Sequence, residues 1–522
     1  MSMNCNGAAP PRHLRPSARA STPPRLHKPA RCRRPLDYCL APPQCTTATI
    51  CGAGILPAAA FQAAPSFMLR TPPTAHPSSK PFPSFRRLSP GVPTRASAPS
   101  RLRYPGQLAR ILFATFGSYG DVHPYMAVGI ELRQRGHAVT IATSATYAAK
   151  VASEGLAFHA VRPDLSLDNT ALLAYVMDTL RGSERVVRHI GAVVRESYED
   201  TLPAARQADL IVTHPITFGA VLVAEKLGLP WVSSVLAPIS FLSAWDPPVP
   251  APVPGLIKLR ALGPGFMRAV WQLAKFDTRR WLKPVLALRS ELALPDRGHP
   301  LFEGSHSTGT VLALFSRYLA EPQPDWPPRT VVTGFPFFDR HHEQQAIAPE
   351  LDRFLSAGPA PVVFTLGSSA VAAAGDFYRD SLKAVETLGV RAVFLTGAYS
   401  QGLPAKLPAS VIAIPYAPHS EIFPRASAIV HQGGVGTTAQ AMRSGRPMLV
   451  VPFAHDQFDN GERVRRFGAA DVVYRSRYHA ATAAAALCRL LHRDAAAAKL
   501  GELVRAENGT AKAADAIERA LQ

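Results

Sequence analysis

This chain of 522 residues predicts an α/β fold of two doubly wound parallel-sheet domains facing across a cleft, preceded by a disordered extension. Three observations carry the expectation. Strand-like apolar runs alternate with helix-like segments from residue 109 to the end. That stretch is long enough for two well-buried cores. It also opens as a βαβ unit, with Pro in the first helical turn and Gly past the last.

Residues 1–108 hold 15 Lys or Arg against a single acid, Asp37, and 20 of the 50 prolines, so they carry +14 of the net +20. The body is left at only +6, which removes most of the support for a nucleic-acid partner. No helical or strand period runs through the extension. Its Arg-rich, acid-poor composition reads as disorder or an upstream start called too early, as an organelle-targeting peptide, or as an interaction arm. Residues 39–69 are uncharged but broken by Pro42, Pro43, Pro57 and Pro65, which argues against a spanning helix. Five of the six cysteines lie in the extension and only Cys488 in the body, with no Cys/His metal-ligand spacing.

The first domain, 109–331, opens with ARILFATF (109–116), turns through GSYGD, runs a helix from Pro124 to Arg135 and returns as HAVTIAT (137–143). DLIVTH (209–214) and PWVSSVLA (230–237) are later strands. The second domain, 332–522, begins at VTGFPFFD and supplies strands in 361–369, 391–400 and 411–419.

Residues 431–460, HQGGVGTTAQAMRSGRPMLVVPFAHDQFDN, follow a short apolar run, Ala428 to Val430. Gly433, Gly434 and Gly436 allow a tight turn, and Thr437 with Thr438 opens a helix. Unpaired N–H groups and the positive helix end then face whatever sits above, and a diphosphate suits them. Gly434-x-Gly436-x-x-Ala439 with Asp456 also satisfies the dinucleotide fingerprint. That fingerprint belongs to the first βα unit of its domain, whereas this motif is about the fourth.

The segment resembles the donor signature of family 1 glycosyltransferases, nucleotide-sugar-dependent enzymes of the GT-B fold with two Rossmann-like domains. The resemblance runs from about Arg110 to the C-terminus. It takes in FGSYGDVHPYMAVGIELRQRGHAVTIAT, VTGFPFFD, FTLGSSA (364–370) and Tyr-Ala-Pro-His at 416–419. HxGGxGTT followed by PFAHDQxxN is similar to sterol-modifying and rhamnolipid-forming members more than to plant small-molecule ones.

The resemblance implies that Tyr416 or its neighbour stacks on the donor base, that His431 and Thr437 bind the phosphates, and that Asp456 with Gln457 reads the sugar hydroxyls. Gly367, Ser368, Ser369 and His419 complete the donor side, and Gly117, Ser118 and His123 fall on the acceptor side. An aromatic face, phosphate donors and a carboxylate beside an amide are the chemistry those roles require.

Transfer needs a base for the acceptor hydroxyl, and Asp121 is the candidate, standing where many members carry a catalytic His. A second reading makes Asp121 only the cap of the helix starting near Pro124. Aligning 212–231 with the family puts His214 where His-base members keep an orienting Asp, so the dyad is reversed here or His214 is a buried structural histidine.

No Asp-x-Asp occurs, so inversion without a metal or cofactor is expected, the nucleotide diphosphate sugar being a co-substrate. Residues 256–289 carry eight Lys or Arg and one acid among Leu, Phe, Met and Trp. They read either as helices packed on the first core or as a basic amphipathic face for an anionic membrane. The expected reaction moves a hexosyl or deoxyhexosyl unit from a UDP- or dTDP-sugar to a lipid or sterol-like hydroxyl. Small aromatic or macrolide acceptors are the alternative, and a non-catalytic sugar-nucleotide or lipid binder stands as the reading from another class. The expected location is the cytoplasm, including the inner membrane face, with organelle targeting left open by the extension.

Overall fold

The computed structural model describes residues 108–522 apart from 165–168, 340–346 and 398–401. The targeting and disorder readings of the extension, its five cysteines and part of the linker after VTGFPFFD lie outside the described residues.

Two parallel sheets are present. The first joins β1 (Arg110–Ala114), β2 (Ala138–Thr143), β3 (Ala157–Ala160), β4 (Leu210–Thr213), β5 (Trp231–Val235), β6 (Val311–Ala313) and β7 (Thr330–Val332) in the order β3-β2-β1-β4-β5-β6-β7. The second joins β8 (Val362–Thr365), β9 (Ala392–Leu395), β10 (Val411–Ile414), β11 (Ala428–His431), β12 (Met448–Val450) and β13 (Ala470–Val472) in the order β10-β9-β8-β11-β12-β13. The central strands β4, β8 and β11 are buried along their whole length, which is why they read as unbroken apolar runs. Both sheets reverse strand order once, between β1 and β4 and between β8 and β11. Open sheets of this kind bind ligands outside the carboxyl ends of the strands at that reversal. Register brings the paired ends level, Ala114 beside Thr213 and Thr365 beside His431, so each pair of loops leaves its sheet at one height.

Two expectations are corrected. The first helix spans Tyr119–Gln134 and starts five residues before Pro124, because Ser118 caps it and Asp121 completes a capping box. Asp121 is therefore the third helical residue and not the cap. The boundary between residues 331 and 332 is also crossed: β7 carries the first sheet to Val332, and the terminal helix Gly509–Ala520 returns to the first domain. Ala513, Ala514, Ala516 and Ile517 join the core of β1 and the Tyr119–Gln134 helix. Arg135 clasps Asp515 at 2.6 Å and Glu518 at 2.9 Å. Periodicity shows that a terminal helix has an apolar face but not which core covers it.

A buried ion cluster ties the long β5–β6 connection to the second domain. Arg463, in the helix Gln457–Phe467, bonds Asp459 at 2.8 Å and pairs with Asp246, which also meets Arg466 at 2.9 Å. The second oxygen of Asp459 accepts the Val249 N–H at 3.1 Å. Asp459 and Arg463 are buried, so removing one partner leaves charge without water or counter-ion. Asp459→Ala is expected to destabilise the protein by about 3–5 kcal/mol in chemical denaturation. A loss below about 1 kcal/mol shows the cluster to be solvated.

Candidate active site

The turn after β1 is built around one carboxylate. Asp121 Oδ2 accepts the Ser118 N–H at 2.7 Å and the Ser118 hydroxyl at 3.1 Å. Gly117 has φ +136°, and a Cβ there would lie 2.2 Å from Asp121 Oδ2, so only glycine lets the carboxylate fold back over the turn. The Tyr147 hydroxyl donates to the Gly117 carbonyl from the other side at 2.8 Å. The other oxygen, Oδ1, faces His214 Nε2 at 3.5 Å. His214 leaves the end of β4, is buried, and accepts the Ile216 N–H on Nδ1 at 3.4 Å. That assigns its proton to Nε2, pointing at Asp121. Asp121 thus takes part in a capping box and sits beside a histidine that orients it; the imidazole's one free proton is directed at the carboxylate.

His123, expected as a loop or acceptor-wall residue, is helical. Its ring stacks on Phe338 at 4.7 Å and meets Tyr119 at 5.0 Å, and burial with the nearby Lys150 charge brings its pKa down to about 3. It packs the junction with the segment leading into the second domain.

Across the cleft, Gly433 at φ +90° turns the chain out of β11 into the helix Val435–Ser444. This helix has no acid in its first turn and no side-chain cap. His431 is fully buried; its Nδ1 accepts the Gly433 N–H at 3.1 Å, and burial, helped by His419, lowers its pKa to about 3. The ring is neutral with its proton on Nε2. Nε2 of His431, Oε1 of Gln432 and Oγ1 of Thr438 are buried polar atoms without a protein partner, gathered within eight residues of the glycine turn. Such a concentration marks a ligand surface. Gln432 Nε2 reaches Thr437 Oγ1 at 3.4 Å, and a Cβ on Gly367 or Gly434 would stand 2.5 or 2.9 Å from that nitrogen. Gly367, Ser368 and Ser369, at the end of β8, complete the cradle half-buried.

Past β12, Asp456 bonds Asn460 Nδ2 at 2.7 Å, and the same amide holds the Gly433 carbonyl at 3.0 Å. Burial pushes the Asp456 carboxyl up to about 7, the Asn460 hydrogen bond opposing the shift and the charge of Asp121 adding to it. That coupling brings the two acids into one field across the cleft. Gln457 spends Oε1 on the N–H groups of Phe453 and Ala454, at 2.8 and 3.1 Å, so only its NH₂ remains for a ligand. His455 sits at φ +57°, with Nδ1 3.2 Å from the Ser183 hydroxyl of the first domain. Tyr416 is 61% exposed and offers a free ring face, while His419 stacks on Phe423 at 4.4 Å.

The fold therefore gathers Gly117, Ser118, Asp121 and His214 at one strand-order reversal and Gly367 to Ser369 with His431 to Thr438 at the other. Gly436 approaches Gly120, a Cβ on it standing 3.6 Å from the Gly120 Cα. Gln432, His455 and Asn460 were missed as site residues. Asn460 had a signal, being the last letter of PFAHDQxxN; the other two act through contacts that only the folded chain makes.

The chain is similar in sequence and fold to known proteins. Residues 111–241 fit the glycosyltransferase family 28 N-terminal domain, and residues 381–518 the erythromycin biosynthesis protein CIII-like C-terminal domain. O-mycaminosyltylonolide 6-deoxyallosyltransferase of Streptomyces fradiae is 31% identical over 423 residues, 78% of this chain and 97% of the relative. Sterol 3-beta-glucosyltransferase of Yarrowia lipolytica is 26% identical across 79% of this chain, but the chain spans only 29% of that relative. Among solved structures, glycosyltransferase VinC in complex with dTDP has a TM-score of 0.58 at 21% identity, over 79% of this chain and 99% of that one.

The raised carboxyl of Asp456 sets a pH signature. Its folded pKa lies above the ordinary value, so its stabilising contribution is complete below about pH 4 and is lost as pH rises through about 7. Asp456→Asn is expected to raise Tm by about 2 °C or more at pH 8 and to leave it unchanged near pH 4.5. An equal change at both pH values refutes the burial of charge at this position.

Proposed function

Because the chain belongs to the family 1 glycosyltransferases of the GT-B fold and draws on a nucleotide-sugar donor, we propose that it moves a hexosyl or deoxyhexosyl group from a UDP- or dTDP-sugar to the hydroxyl of a hydrophobic, sterol-like or other lipid acceptor. The observation that carries this reading is the Asp121 carboxylate, held by Ser118 and His214, facing a phosphate cradle and the sugar-side acid Asp456 across one cleft. A macrolide acceptor is the second reading, favoured by the near full-length match to the Streptomyces fradiae enzyme.

In the proposed reaction the acceptor oxygen attacks the anomeric carbon as Asp121 takes its proton, and the bond from that carbon to the diphosphate breaks with inversion. His214 keeps the carboxylate turned toward the acceptor. Negative charge grows on the leaving diphosphate, where the Val435–Ser444 helix terminus, the His431 Nε2–H and Thr437 donate to it. Neutral His431 is suited to this work, since it donates without needing to be charged. Asp456 and the Gln457 amide read the sugar hydroxyls. Neither metal nor cofactor enters the scheme.

Asp121→Asn is expected to lower turnover by roughly 10²- to 10⁴-fold with donor affinity nearly unchanged, because the amide keeps the Ser118 contacts but accepts no proton. Mass-spectrometric product detection with UDP- and dTDP-sugars against a panel of sterols, lipids and macrolides reads both activity and acceptor class. Wild-type turnover by the variant sinks the base assignment. His431→Ala and Thr437→Ala are each expected to weaken nucleoside-diphosphate binding by about 1.5–3 kcal/mol by titration. Unchanged affinity in both returns the motif to a structural turn.

A further inference from the structure

The helix Gly263–Arg279 lies in the β5–β6 connection and buries only Met267 and Trp271, with the Trp271 N–H on the Ser243 carbonyl at 3.0 Å. Its outer face is not polar. Leu262, at the cap, is 60% exposed, Phe266 40%, Leu273 69% and Phe276 80%. With exposed Ala269 these recur at alternating steps of four and three, one straight stripe opposite the buried face and about 21 Å long at 1.5 Å per residue. Arg268 lies beside the stripe, and Lys258 and Arg260 precede it in the turn Pro254–Leu262, all exposed. Three further basic residues are engaged: Lys275 with Glu303, Arg279 with Asp296 at 3.9 Å, Arg280 with Asp277 at 2.9 Å.

We propose that this stripe docks the protein on an anionic lipid bilayer, the side chains of Leu262, Phe266, Leu273 and Phe276 entering the interface while Lys258, Arg260 and Arg268 meet the headgroups. Charge selects the occupant. The N-terminal extension carries +14 and a second copy would bring the same basic residues, so both meet like charge, whereas anionic headgroups complement it. Among the described residues no helix is long and apolar enough to cross a membrane, so the contact is interfacial. A hydrophobic acceptor would reach the cleft from the same phase, but the docking does not depend on the transfer reaction.

Full-length protein is sedimented with equimolar phosphatidylcholine–phosphatidylglycerol vesicles, without donor or acceptor, so failure here leaves the glycosyltransferase reading untouched. The extension is common to parent and variants, and its purely electrostatic pull is suppressed in about 1 M salt, where the Debye length is about 3 Å. Leu273→Ser with Phe276→Ser, which touches no buried side chain, is expected to lower partitioning about tenfold or more and to abolish the salt-resistant fraction. Arg260→Gln with Arg268→Gln lowers low-salt binding and spares that fraction. Equal sedimentation of parent and serine variant at both salts overturns the proposal. So does a parent dimer that the serine variant converts to monomer in sedimentation equilibrium, which assigns the stripe to a second copy.

Discussion

Two helix N-termini, those of Tyr119–Gln134 and Val435–Ser444, converge where Gly120 approaches Gly436. Each brings roughly half a positive charge. Their approach is unfavourable unless negative charge sits between or beside them. The first helix carries its own, Asp121 in its first turn. The second has no acid there and no side-chain cap. Much else follows from this convergence. Gly117 is needed for the carboxylate to fold back, and buried polar atoms gather around the open helix end. In the proposed reaction the leaving diphosphate accumulates negative charge at this place, so it would be held more tightly in the transition state than before, which is the condition for catalysis.

The two acids of the cleft have unlike surroundings. Asp121 has one oxygen held by the Ser118 N–H and hydroxyl and the other 3.5 Å from His214 Nε2. Asp456 has one amide donor, lies deeper, and feels the charge of Asp121, so it titrates near neutrality. Two carboxylates in such unlike settings are suited to different work, which is how the proposed scheme uses them.

The strands and the glycine cradle were legible because each rests on a short local pattern: an unbroken apolar run for β4, β8 and β11, and Gly433 with Thr437 and Thr438 for the turn and helix start. The start of the first helix was misplaced because Pro124 is a strong signal, while the Ser118–Asp121 box that outweighs it is visible only as a reciprocal pair of hydrogen bonds. Asp246 and Arg463 stand more than two hundred positions apart, and nothing local marks either as the partner of the other. The same holds for Ser183 with His455 and for the terminal helix on the first domain. In the basic segment the sequence showed the charge but not its pairing: Arg279 and Arg280 are engaged by acids, while Lys258, Arg260 and Arg268 border the exposed stripe.

The β5–β6 connection, residues 236–310, is far longer than the dozen or so residues a parallel crossover requires, so most of it serves something other than chain return. One end is anchored by Asp246 and Val249 to the helix Gln457–Phe467, whose N-terminus carries Asp456 and Gln457. Farther along, it bears the apolar stripe of the Gly263–Arg279 helix. Because Asp459 and Arg463 are buried, the anchor cannot slide without exposing or stranding charge, and it fixes this end of the connection to the helix that begins at Gln457. The long connection is thus fastened to the second domain by charges that cannot part without a counter-ion or water.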